Sequence, residues 1–289
     1  MRRIPATIGF FFAFAAAVAA PLVEAQPHSH LIIRVEEGDW GNVGRRDIET
    51  VLNSVADVLA PYFPQHAASR IWVSPSPQGP LVLLDRTANG SHHILLDVHD
   101  ARWDQFTYQF AHELCHVFTN YGHREIGPGT VARDHQWFEE TLCEATSLFA
   151  LNRMASRWEE MAQRPERKRY APAFRAYAQR RLDSAQRRLP VGDAVTNWFA
   201  ANREALERDP YLRERNEVLA ARLLPLLENT PGAFESLGYL NASASSPPES
   251  FAAYLASWYD CCPTRYRGFI VRVMSLLEGR GPGDRPLPS

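Results

Sequence analysis

At 289 residues, with 45% hydrophobic and 22% charged residues, the chain can bury a full globular core and is too ordinary in composition to be disordered or fibrous. A formal net charge of -2 leaves no basic excess to neutralise phosphates, so nucleic acid is not an expected partner.

The first residues read as an address. Arg2 and Arg3 precede an apolar run from Ile8 to Ala20, and Val23-Glu24-Ala25 closes it with small residues where a signal peptidase inspects the chain. The run is shorter than the roughly 20 apolar residues a membrane span needs. Residues 1–25 are therefore expected to be a signal peptide cleaved near Ala25. The mature protein would be secreted or periplasmic, without stable membrane insertion. Disulfides persist in that setting, and four cysteines (Cys115, Cys143, Cys261, Cys262) allow three pairings. A Cys115–Cys143 bridge and two buried thiols are both open readings.

Residues 26–121 read as a mixed α/β part with a short sheet. Leu31 to Val35, Ile71 to Val73, Leu81 to Leu84 and His93 to Val98 are short runs rich in β-branched or aliphatic residues. Between the first two, Asp47 to Tyr62 carries Ile48, Val51, Leu52, Val55, Val58 and Leu59 at helical spacing. Asp104 opens a helix to about Asn120 with Phe106, Phe110, Leu114 and Val117 as its apolar stripe. Residues 122–279 begin with a loop from Gly122 to Asp134 and then read as helical throughout. The expected helices are Trp137 to Met154, Pro165 to Arg188, Val195 to Arg208, Tyr211 to Leu227, Ser250 to Tyr259 and Tyr266 to Leu277. The basic stretch in Pro165 to Arg188 is expected to be a solvated face. Residues 280–289, rich in Gly and Pro, read as a disordered tail. The fold class is α+β.

The chemistry concentrates on His112-Glu113-Leu114-Cys115-His116. Two imidazoles four residues apart on a helix lie about 40° apart around its axis, stacked on one face, and can share one ion about 2 Å away. Glu113, turned about 100° from His112, cannot easily join them, but it can reach an attacking water, where a general base belongs. Zinc needs a third protein ligand. A third His six residues after the second is absent, because Gly122 stands there. A Glu from the next helix is the other source, and Trp137-Phe138-Glu139-Glu140-Thr141-Leu142-Cys143-Glu144 opens such a helix. Glu140 is the preferred ligand over Glu139, because only Glu140 has an acidic residue, Glu144, one turn on. From there Glu144 could accept the free N–H of a ligand His and fix its tautomer.

This arrangement, His-Glu-x-x-His followed by Trp-x-x-Glu-x-x-x-Glu, resembles the active site of the gluzincin metallopeptidases, the broad group that includes thermolysin and the aminopeptidase N relatives. The likeness covers His112 to Ala145, and Thr141 departs from the Gly that many relatives carry. The resemblance implies a zincin-like fold and one Zn2+ per chain held by His112, His116 and Glu140. It also implies Glu113 as catalytic base, Glu144 as support of a ligand His, and a peptide or protein as substrate. It further implies a strand beside the motif helix that pairs with extended substrate, for which His93 to Val98 is the candidate. Tyr254, Tyr259, Tyr266 and His135 are eligible by type to stabilise the developing oxyanion, and spacing selects none. A zinc-binding protein on the same scaffold without peptidase activity is the alternative.

Overall fold

The computed structural model of the chain describes residues 31–127, 130–131, 134–161, 163–184, 187–230, 232–243 and 250–279. The expected signal peptide and C-terminal tail lie outside these residues. Alternating burial gives strand β1 (Ile32–Val35), in which Ile33 and Val35 face the core. Helix α1 (Arg45–Leu59) then buries Ile48, Val51, Leu52, Val55 and Leu59, the stripe that a 3.6-residue period predicts. Strand β2 (Arg70–Pro75) returns parallel to β1, with Ile71 and Val73 fully buried.

Strands β3 (Leu81–Val82) and β4 (His92–Leu96) complete a sheet ordered β1-β2-β4-β3, in which β4 runs parallel to β2 and β3 is antiparallel at the edge. This order corrects the expectation for the substrate-pairing strand. β4 is bonded on both sides and cannot accept another strand, whereas β3 keeps an outer edge.

Helix α2 (Trp103–Phe118) carries the two-histidine motif and packs against α1, β3 and β4. It stops where Asn120 takes a left-handed φ of 60°, a conformation Asn tolerates after a helix end. The Asn120 amide then donates to the carbonyls of Gly238 and Leu240 and ties this corner to the C-terminal part. Within the loop expected from Gly122 to Asp134 lies an additional hairpin, β5 (Glu125–Gly127) and β6 (Thr130–Val131).

Helix α3 (Gln136–Glu159) is the central post of the molecule. It is buried on nearly every side because α1, α2, α4 (Pro165–Asp183) and α6 (Arg213–Asn229) all pack on it. Helices α5 (Val195–Arg208), α7 (Ala233–Leu237), α8 (Phe251–Cys261) and α9 (Arg267–Glu278) complete the helical part. One hydrophobic cluster runs from Leu31 to Leu277, so the mixed part and the helical part share a core. α4 is not purely a solvated face: Ala171, Phe174 and Ala178 are buried, and Arg181 turns inward. Among the described residues no helix is long and apolar enough to cross a membrane.

Candidate metal centre

The centre forms where α2 crosses α3. On α2, the one-turn spacing stacks His112 over His116, with ring centroids 5.1 Å apart. On α3, Glu140 points back at both rings. Its Oε2 lies 3.1 Å from His112 Nε2 and its Oε1 lies 3.5 Å from His116 Nε2. A tetrahedral ion with bonds of about 2.0–2.1 Å holds neighbouring donors about 3.3 Å apart, so these separations suit zinc. Of the described residues, His112, His116 and Glu140 are the group that brings three such donors within 4.8 Å of one another. The donor chemistry, two imidazoles and one carboxylate, is that of an open zinc site with room for water.

Glu139 is placed differently from its neighbour. It is fully buried, and its Oε1 lies 2.9 Å from His116 Nδ1, the nitrogen facing away from Glu140. Thr119 Oγ1 donates to the same Oε1 at 2.8 Å, and Asn241 Nδ2 donates to Oε2 at 3.0 Å. Tyr254 OH donates in turn to Asn241 Oδ1 at 2.8 Å. This chain orients the His116 ring and presents Nε2 to the centre.

Glu144 sits 3.8 Å from His112 Nδ1, an ion-pair separation longer than a hydrogen bond. Its main partners are the buried Arg187 guanidinium and the Tyr108 hydroxyl. Arg187 also lies 3.2 Å from Glu217, and the partly exposed Arg181 reaches Glu217 at 2.5 Å, so three buried charges and one at their edge form a cluster behind the centre.

Glu113 is buried beside the two histidines, and its carboxylate accepts the backbone N–H of Val82 on the outer edge of β3. Burial pushes the Glu113 carboxyl above its ordinary range, against the pull of His112 and His116. Burial also opposes ionisation of Glu140, but His116 and His112 outweigh it and hold that carboxyl far below the usual range. Burial disfavours charge on both imidazoles, yet the adjoining carboxylates prevail and raise each above its ordinary value. A pocket that pulls protons onto histidines and off a carboxylate has the field a cation needs.

A cleft of about 480 Å³ opens over these groups, with Gln78, Val82, Tyr121, Tyr211 and Arg213 among its walls. Tyr121 packs its ring 5.4 Å from that of His116, and burial pushes its hydroxyl up to about 12, so it stays protonated at neutral pH. Tyr211 OH accepts from Gln136 Nε2 at 2.9 Å. These two hydroxyls line the cleft, and the residues eligible from the sequence do not. Tyr254 belongs to the Glu139 chain, and Tyr259 and Tyr266 pack under Arg267 and Arg265. His135 packs against Phe251 and Tyr254. Tyr121 follows His116 closely enough to have been suspected from sequence; Tyr211 is brought in from the α5–α6 connection by packing alone. Cys115 and Cys143 are both buried thiols, with Cys115 Sγ 3.5 Å from Thr146 Oγ1. Compared with known proteins, the chain matches no family model and no curated sequence.

Proposed function

We propose that the protein is a zinc-dependent peptidase of the gluzincin type with a zincin-like fold, exported to the periplasm or cell exterior. The observation that carries the reading is the joint placement of His112, His116 and Glu140 at ligand separations beside a buried Glu113 in one cleft. A purely structural zinc site has no use for that second carboxylate.

His112, His116 and Glu140 would hold the ion, and Glu139 fixes the His116 ring. Bound zinc supplies a Lewis acid for the substrate carbonyl and lowers the pKa of water towards about 7. Glu113 takes the proton of the attacking water on its carboxylate and passes it to the leaving amine nitrogen. A carboxyl whose pKa is pushed up by burial is suited to hold that proton between the two transfers. Tyr121 and Tyr211 offer hydroxyls to the developing oxyanion. An extended peptide can add to the outer edge of β3, which runs past Glu113 at Val82.

The test is zinc content of the purified mature chain, residues 26–289, beside His116→Ala and Glu113→Gln. One zinc per chain, lost in His116→Ala, supports the centre. Peptide hydrolysis lost in Glu113→Gln with zinc retained supports catalysis. Zinc bound by a wild-type chain that cleaves no member of a peptide library would leave a zinc-binding protein without peptidase activity. A wild-type chain that takes up no zinc after reconstitution would overturn the reading altogether.

A further inference from the structure

Beyond Val82 and Tyr121, which it shares with the main cleft, lies a smaller pocket of about 100 Å³. Apart from Tyr121, its titratable lining is basic: His66, Arg86, His92 and His123, with no Asp or Glu among the described lining residues. The four come from separate places: the turn after α1, the β3–β4 connection, the start of β4, and the corner after α2. The His66 ring donates one N–H to the backbone of Phe118. Its Nε2 is buried and has no hydrogen-bond partner among the described residues. A buried polar atom left unpaired is costly, and its ring is part of the wall of a cavity with room for a small polar group.

The geometry points to this pocket as an anion subsite in which Arg86, His66, His92 and His123 receive a carboxylate of the peptide substrate. The ligand's identity rests on the peptidase reading; the basic pocket does not. Three imidazoles could instead suggest a second metal. That is set aside because, among the described residues, only His112, His116 and Glu140 bring three such donors within 4.8 Å of one another. Arg86 is exposed and makes one 3.3 Å bond to the Gly90 carbonyl, so its guanidinium has donors to spare. Burial, and the cationic Arg86 nearby, push His66 and His92 down to about 4, so both rings are neutral until an anion arrives. A carboxylate would therefore gain the fixed charge of Arg86 and draw protons onto the rings.

Position supplies the link to the chemistry. Val82 touches Glu113 at one end, and Arg86 lies four residues further on, at most about 13 Å along an extended strand. A peptide lying along β3 would present a carboxylate about two to four residues from the bond over Glu113. Either a C-terminal carboxylate or an acidic side chain meets that requirement.

Binding separates this inference from the peptidase reading. Fluorescent peptides of one sequence are titrated by anisotropy onto zinc-loaded Glu113→Gln protein in three forms: a free C-terminus without acidic residues, a C-terminal amide with one Glu, and a C-terminal amide without acid. We expect one of the first two to bind about tenfold tighter than the third, and the tighter one names the source of the carboxylate. Adding Arg86→Gln should remove the advantage, and Arg86→Lys should keep most of it. Equal affinity for all three peptides, or an advantage indifferent to Arg86→Gln, overturns the subsite. Carboxylate-selective binding alongside a wild-type chain that cleaves nothing would keep the subsite and remove the peptidase. Cleavage without carboxylate preference would do the reverse.

Discussion

Glu139 and Glu140 are adjacent carboxylates that do opposite things because α3 rotates them about 100° apart. Glu140 faces the two Nε2 atoms, while Glu139 grips Nδ1 of His116 from behind. Removing a ligand and removing its support should therefore differ in degree. Glu140→Gln should abolish stoichiometric zinc binding, and Glu139→Gln should weaken it about 10- to 100-fold while leaving the site able to fill at excess zinc. Chelator competition measures both, and a larger loss in Glu139→Gln would reverse the two roles. The cleft hydroxyls give a second expectation at this scale. Tyr211→Phe should lower kcat about 100-fold with KM and zinc content little changed, as loss of an oxyanion donor does. Steady-state kinetics checks it, and an unchanged kcat would exclude the Tyr211 hydroxyl from that role.

At the scale of elements, α3 carries the argument. One helix supplies the ligand, the support for His116, and Glu144 at the head of the charge cluster with Arg187, Arg181 and Glu217. Breaking a buried cluster from one side leaves an unpaired charge in a low-dielectric interior, which costs about 3–5 kcal/mol. Arg187→Leu should show such a loss in urea unfolding, and Glu144→Gln added to it should recover part by removing the stranded charge. Strictly additive losses would mean the two residues are not coupled. This cluster was illegible in the sequence, because Arg187 sits in a basic stretch that reads as a solvated face and its partners lie on α3 and α6. The His112–His116 stack and the helix bearing Glu140 were legible, since both follow from local helical spacing. The role of Glu139 was not, because it depends on Asn241, about a hundred residues away in the chain. For the same reason the strands could be located but not ordered: which of them forms the edge is decided by pairing across the sheet, and that moved the cleft-side strand from β4 to β3.

For the molecule as a whole, the shared core means that chemistry in any one pocket is felt as global stability. His66 and His92 make this measurable. Unfolded, each ring takes up a proton near its ordinary value of 6.5; folded, burial delays uptake until about 4. Between those values the unfolded chain binds more protons, so stability rises with pH across the window. The contribution is fully present above about pH 6.5 and is lost as pH falls towards 4. Acid also releases zinc from any His-ligated site, so a falling urea midpoint alone would not identify the cause. Comparison with His66→Gln/His92→Gln isolates it, because both proteins carry the same metal centre and differ only in these two rings. We expect the wild-type midpoint to fall more steeply between pH 7 and pH 4.5 than that of the double variant, whatever their relative stability at pH 7. Parallel slopes would show that the rings titrate alike in the folded and unfolded chains, and that the basic pocket is open to water rather than closed against it.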